Sequence, residues 1–281
     1  HAAAWGVAVA GVLELALVCW DARRAGLAPR FAVPRFDADM VDFFKVLGPA
    51  VIGSAGVQIA MFADTIIAAM LPTGAISSLY YADRLYQLPV GVVGIAAGTV
   101  LLPEMSRRIA GGDVDGAHGA QNRAAIFTLV LAAPCAVAFL ALPDLIMQAL
   151  FGRGAFTAED AAAAGAVLAA YATGLPAVVL IRSAVASFYS RSDTVTPVIA
   201  SLSAVAVNVA FKILLVGSMA APGLALATAV GAWVNVLLLF ALAKRRDWTA
   251  PSRELGRAVI AIAIACAVLC HAALAARNWG D

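Results

Sequence analysis

Eight apolar runs of about twenty residues leave this 281-residue chain few ways to fold. They cover approximately residues 3–20, 46–71, 78–104, 124–150, 160–187, 196–217, 223–243 and 256–276. At a rise of about 1.5 Å per residue, a run of this length matches the hydrocarbon thickness of a bilayer. Backbone N–H and C=O groups find no water there, so a spanning segment has to bond internally as a helix. The expected fold class is all-α, a polytopic membrane helical bundle of about eight transmembrane helices. Composition agrees: 63 % of residues are hydrophobic and only 13 % charged, with a mean hydropathy of +0.92, whereas soluble domains carry roughly a quarter charged residues.

Lysine and arginine set the orientation, because they stay on the cytoplasmic side of short loops. If the first helix ends in the cytoplasm, fourteen basic residues from Arg23 to Arg257 fall on the inner side and two, Arg153 and Arg277, on the outer. Arg84, Arg182 and Lys212 remain inside helices and complete the 19. One missed helix would scramble this alternation. The segment from Asp21 to Asp42, with Pro29 and Pro34 and charges of both signs, reads as a cytoplasmic linker between bundles. The expected division is residues 1–20, a linker over 21–45, a six-helix lobe over 46–245 and a further helix over 246–281.

Residues 80–107, YYADRLYQLPVGVVGIAAGTVLLPEMSR, place Asp83 and Arg84 within an apolar span. A charge at that depth is costly and marks function by default. Steps of four and three from Tyr80 reach Arg84, Gln87, Gly91, Gly94 and Gly98, one helical stripe. Its outer part can line a polar cavity, while the three glycines can admit another helix closely. Pro89 cannot donate to the carbonyl of Leu85, which frees backbone polarity beside the cation. Broken helices beside charged residues are common transporter binding sites.

Depth groups a second set. Counted from the outer helix ends, Asp64, Asn208, Lys212 and Thr228 lie at similar levels, and polar groups at one level of a bundle face one another. Elsewhere, residues 107–122 (RRIAGGDVDGAHGAQN) read as a flexible Gly-rich cytoplasmic connector. Thr157 and Asp160 have capping-box spacing, and Pro197 in FYSRSDTVTPV can open a helix. Arg182 reads as a residue that snorkels to headgroups or serves an inner gate. Glu14 in the first helix is unplaced, and Trp5, Trp20, Trp248 and Trp279 read as interfacial anchors. Cys19, Cys135, Cys266 and Cys270 sit in apolar runs without a second pair for zinc, and the three histidines are scattered. Neither a metal nor another cofactor is expected. No phosphate-cradling glycine loop and no basic run interleaved with aromatics is present, so no nucleic-acid partner is expected. The opening His1 and the lack of a signal pattern suggest a piece of a longer protein.

The YADRL string, its P-x-G-V-x-G continuation and the G-T-x-L-L-P end closely resemble the eighth transmembrane helix of the MurJ (MviN) lipid II flippases, members of the MOP exporter superfamily. LFGRGAFT and FYSRSDTVTPV resemble two further turns of that family, the latter with Ser190 in place of alanine. The resemblance runs from about residue 45 to about 245. It implies a MOP/MATE-like lobe covering roughly the sixth to thirteenth helices, a multi-pass location in the bacterial inner membrane, and no enzymatic step. It also implies lipid II as substrate, membrane lipids as surroundings and an N-terminal lobe of the same protein as partner. Arg84 matches a cavity arginine proposed to hold the lipid II pyrophosphate, with Asp83, Tyr80 and Gln87 beside it; many relatives carry an acid where Gln87 stands. Asp64, Asn208 and Thr228 match positions that hold sodium in some members. Lys212 departs from that pattern, since those members have an acidic ligand there, and an ammonium would repel sodium and suit an ion pair with Asp64. The alternatives are another MOP exporter, for polysaccharide units or drugs, and a non-transport membrane scaffold or polyprenyl-phosphate enzyme.

Overall fold

The computed structural model describes residues 2–26 and 65–280, together with positions 40, 41, 44, 47 and 62. The chain divides into two compact units, His1–Gly48 and Pro49–Asp281. The first contains α1 (Ala2–Arg24), whose length matches a single bilayer crossing. Its side chains are exposed from Trp5 to Asp21, Trp20 among them, and Arg24 lies 4.2 Å from the centre of the Trp20 ring.

The second unit is built from α2 (Ala75–Pro89), a π-helical segment (Val90–Ile95), α3 (Ala96–Ala110), α4 (Val114–Ala141), α5 (Pro143–Phe151), α6 (Ala158–Ala172), α7 (Leu175–Tyr189), α8 (Val195–Arg245) and α9 (Arg253–Gly280). No strand occurs among the described residues. Six helical runs there are long and apolar enough to cross a membrane: Trp5–Arg24, Ala75–Ala110, Val114–Ala141, Ala158–Tyr189, Val195–Arg245 and Arg253–Ala275. At 51 residues α8 is about twice the length of a single crossing, and it turns back at Ala220, where φ is 50° and ψ −129°. Its two halves, α8a (195–219) and α8b (221–245), correspond to the separate runs expected at 196–217 and 223–243. The run over 46–71 lies mostly outside the described residues.

Two expectations need correction. Residues 107–122 are not a flexible connector: α3 reaches Ala110, α4 starts at Val114, and only Gly111–Asp113 lie between. The reason is a charge-assisted cap. Asp113 accepts a hydrogen bond from the Gly116 N–H at 2.9 Å and pairs with Arg108 at 2.8 Å, while Arg108 also meets Glu104 at 3.0 Å. The Gly116 N–H and Arg108 together hold the Asp113 carboxyl below its ordinary range. The run over 124–150 also divides, because α4 ends at Ala141 and Pro143 opens α5. By contrast, Thr157 and Asp160 form the expected capping box at the start of α6.

Packing gives the unit its shape. The helix α2 lies on α6 and α8; α3 lies on α4 and α7; α9 lies along α4. Tyr81, beside the polar stripe, packs on Phe151 and Phe156 of the α5–α6 turn with ring centres 4.9 and 5.3 Å away, which joins two of the signature strings. At the opposite end, the FYSRSD turn folds onto the α8–α9 linker. Asp193 accepts from the Thr196 N–H at 3.0 Å and the Thr196 hydroxyl at 2.7 Å, and pairs with Arg246 at 2.6 Å. Trp248 packs on Phe188, with Arg191 and Arg246 each over its ring. Beneath this turn Gln121 donates to the Ser187 hydroxyl at 2.6 Å and the Ser183 carbonyl at 3.1 Å, and accepts from Thr249 at 2.8 Å. Asn122 donates to the Ala250 carbonyl at 2.8 Å. One buried network thus ties α4, α7 and the linker together.

Burial pushes the Asp193 carboxyl up, but its bonds from Thr196 and Arg246 outweigh that and leave its pKa below the ordinary value. A depressed folded pKa gives stability that is fully present above the unfolded value and is lost as pH falls through the folded one. Purified wild type should therefore lose an increment of stability below about pH 4 that Asp193→Asn lacks, as read by thermal unfolding between neutral and acid pH. At neutral pH Asp193→Ala should cost about 1 kcal/mol through the lost cap.

Candidate functional site

The polar end of α2 faces outward from the lobe. Ala82, Leu85, Tyr86 and Pro89 are buried, whereas Tyr80, Arg84 and Gln87 are exposed and Asp83 partly so. A helix alternates faces in this way when one stripe packs and the other meets a different medium. Asp83 accepts a hydrogen bond from Gln87, one turn on. Arg84 lies over the Tyr80 ring, 4.7 Å from its centre. Adjacent residues point about 100° apart on a helix, so each of the two charges makes its local contact along its own row. The guanidinium keeps its paired donors available beyond the ring face, a geometry suited to a bidentate oxyanion. An exposed guanidinium this far into an apolar span is compatible with a water-lined cavity, and poorly compatible with lipid.

The glycine part of the stripe behaves differently from expectation. Pro89 does not simply break the helix; the chain continues directly into the π segment Val90–Ile95. A π turn closes i→i+5 and takes up one residue more than an α turn, so the stripe turns by about 100° over this segment. Gly94 and Gly98 are thereby directed at α7, where the aliphatic stem of Arg182 lies over them. A Cβ at Gly94 would stand 3.7 Å from Arg182 Cγ, and one at Gly98 3.8 Å from Arg182 Cβ. Both are ordinary contacts, and at Gly91 nothing lies within 4 Å. Among the described residues no closer helix approach is seen at these glycines, and Gly94 and Gly98 give the aliphatic stem of Arg182 a shallow bed.

Close approach occurs elsewhere. A Cβ at Gly231 on α8b would meet Asn208 Cβ at 2.9 Å and the Ala204 carbonyl at 3.3 Å, and one at Gly174 would meet Ala229 Cα at 2.7 Å. The Gly231 contact sets the level of the second cluster. Asn208 is buried, and its Oδ1 has no hydrogen-bond partner among the described residues; the same is true of Asn235 Oδ1 on α8b. Lys212, one turn after Asn208, is 1 % exposed, so its ammonium does not snorkel outward. Thr228 stands three residues before Gly231 on the same helix face and donates to the Leu224 carbonyl at 3.0 Å. The antiparallel halves of α8 thus set Asn208 opposite Gly231, with Lys212 and Thr228 about one turn nearer the bend at Ala220, while Asp64 lies outside the described residues.

Sequence reasoning missed three functional-looking features: Gly231, the Gln121 network and Trp233. The indole of Trp233 donates to the Thr173 carbonyl at 3.0 Å, where α6 gives way to α7. Only Ser183 and Ser187, four apart on α7, left a visible polar row in the sequence. The partners of both the network and the indole contact come from 60 to 128 positions away.

The family described as Lipid II flippase MurJ matches residues 1–279. A probable lipid II flippase MurJ of Rhizobium meliloti (strain 1021) is 43 % identical over 276 residues, 98 % of this chain and 51 % of the relative. One of Rhizobium tropici is 42 % identical over 265 residues, 94 % of this chain and 50 % of that protein. The chain spans about half the length of the curated relatives it matches. Among solved structures, a lipid II flippase MurJ in an inward closed conformation superposes with a TM-score of 0.66 at 23 % identity, over 89 % of this chain and 57 % of that one. An outward-facing multidrug resistance MATE family transporter of the MOP superfamily superposes with a TM-score of 0.63 at 18 % identity, over 75 % of this chain and 48 % of that one. At these identities the structural likeness shows the fold, an all-α lobe of the MOP type. The match of the family to nearly the whole length then decides the rest: this chain belongs to the lipid II flippase MurJ family.

Proposed function

We propose that the chain is the second lobe, with one flanking helix on each side, of a bacterial inner-membrane lipid II flippase. The supporting observation is the outward-facing row Tyr80, Arg84 and Gln87 on a helix whose other face, Ala82, Leu85, Tyr86 and Pro89, is buried. In this reading the row faces a water-lined cavity between two lobes. Arg84, pre-oriented on Tyr80, takes the pyrophosphate of the undecaprenyl-linked precursor by paired hydrogen bonds, while the polyprenyl tail stays in lipid. The lobes rock about the cavity and open it to each side in turn, with no bond made or broken. By the distribution of basic residues Arg84 sits in the outer half, which suits late contact with a headgroup leaving toward the periplasm.

In a strain depleted of its own flippase, the full-length protein carrying this sequence should restore growth. Arg84→Ala should fail to do so, or do so at least about tenfold less well in plating efficiency, because the paired donors for the pyrophosphate are lost. Arg84→Lys should fall between them, since a lysine keeps the charge without the paired geometry. Full complementation by Arg84→Ala would remove the assignment.

The buried Lys212 supports a second element of the proposal: Asp64 pairs with the ammonium, and the site holds no sodium. The thermal midpoint of the purified protein should then be the same in sodium as in choline salts. A sodium-dependent rise that Asp64→Asn abolishes would overturn it.

A further inference from the structure

Two neighbouring membrane-spanning runs are interrupted at the same height. In the run Ala75–Ala110, the 15-residue helices α2 and α3 flank the six-residue π segment. In the run Ala158–Tyr189, the 15-residue helices α6 and α7 are separated only by Thr173 and Gly174. The packing divides in register with these breaks, since α2 lies on α6 whereas the π segment and α3 lie on α7. Two buried cores lie beyond the breaks, one of Phe188 with Leu239 and one of Met105 with Ala186, while the core of Ala82, Leu85 and Leu168 extends across their level to Val93 and Val179.

We propose that the lobe is articulated at this level. In this arrangement α2 and α6 form one half, α3 and α7 form the other, and the two pivot about a mid-membrane joint on α8b. Gly174 is seated against Ala229 more closely than any side chain would allow, so the break in the second run bears directly on α8b. One turn along, the Trp233 indole donates to the Thr173 carbonyl at the break and so straps it to α8b. On the other run the joint is the π segment, whose wider turn lets a helix change register and recurs at functional sites. The inner half is stiffened separately, because the Gln121 network binds α7 to α4 and the linker after α8. Arg182, on α7 and over Gly94 and Gly98, moves with the inner half, whereas Arg84 belongs to the outer. The joint would therefore change the distance between Arg84 and Arg182 within a single lobe, a motion in addition to any rocking of one lobe against another.

The test is pulsed-EPR distance measurement on the full-length protein in liposomes, with native cysteines replaced and spin labels in three pairs at exposed positions. Ile76 with Ala162 reports the outer half, Val100 with Tyr189 the inner half, and Ala162 with Tyr189 crosses the joint. In wild type the crossing pair should show a broader or two-component distance distribution than either of the other pairs. Trp233→Phe, which removes the N–H and keeps an aromatic ring, should broaden the crossing pair further and leave the other two unchanged. A crossing pair as narrow as the others in wild type overturns the proposal, even if the variant does not fold. Equal broadening of all three pairs in the variant overturns the strap. The readout needs no substrate, so it stands apart from the assignment of Arg84.

Discussion

A carbonyl oxygen that loses its helical partner inside a membrane has no water to turn to, and leaving it unbonded costs several kcal/mol. Every departure from regular helix in this lobe is subject to that constraint. Where Pro89 removes a donor, the chain passes directly into a π turn and the helix resumes at Ala96. Where α6 stops at Ala172, the Thr173 hydroxyl turns back to the Ala170 carbonyl and the Trp233 indole covers the Thr173 carbonyl. A net hydrogen bond of this kind contributes about 1 kcal/mol, but its absence would expose a larger penalty. The break between α6 and α7 carries its own polar cover.

Charges in the lobe follow a related logic with a different result. Asp113 and Asp193 lie at the ends of helices, each holds a basic partner, and each accepts a backbone N–H. Their role is to fix turns. Arg84 and Arg182 lie within spans and make contacts mainly through an aromatic face and an aliphatic stem, which leave the guanidinium donors uncommitted among the described contacts. A protein that had only to fold would gain little from two such side chains. The difference between satisfied end charges and uncommitted embedded ones separates scaffold from site more clearly than burial alone.

The helical type of the described spans and most of their positions were legible in the sequence because the bilayer permits so little: run length decides most of it. The α6 capping box and the turn between the halves of α8 were legible too, since Thr157 with Asp160 and the Gly217 to Gly223 gap are local signals. The glycine stripe was misread. A fixed 3.6-residue period carried Gly94 and Gly98 onto the face of Arg84, and the π segment turned them toward Arg182. Likewise, GGDVDGAHG looked mobile by composition, although one aspartate cap and one arginine make it a tight turn between two helices. Composition does not report a cap whose partners stand three and five residues away.

What stayed hidden was long-range closeness. Gly231 looks like a small residue in an apolar run, yet Asn208 approaches it so nearly that any side chain would force the halves of α8 apart. Gln121 looks like a loop residue and proves to join three elements. Both belong to pairs whose members are far apart in the chain, and a single sequence contains no term for such pairs. The Arg84 row needed no partner to be recognised, because the cost of a charge in hydrocarbon is a property of one residue in one place. That is why the candidate substrate contact could be read before the fold, and the joint that would move it could not.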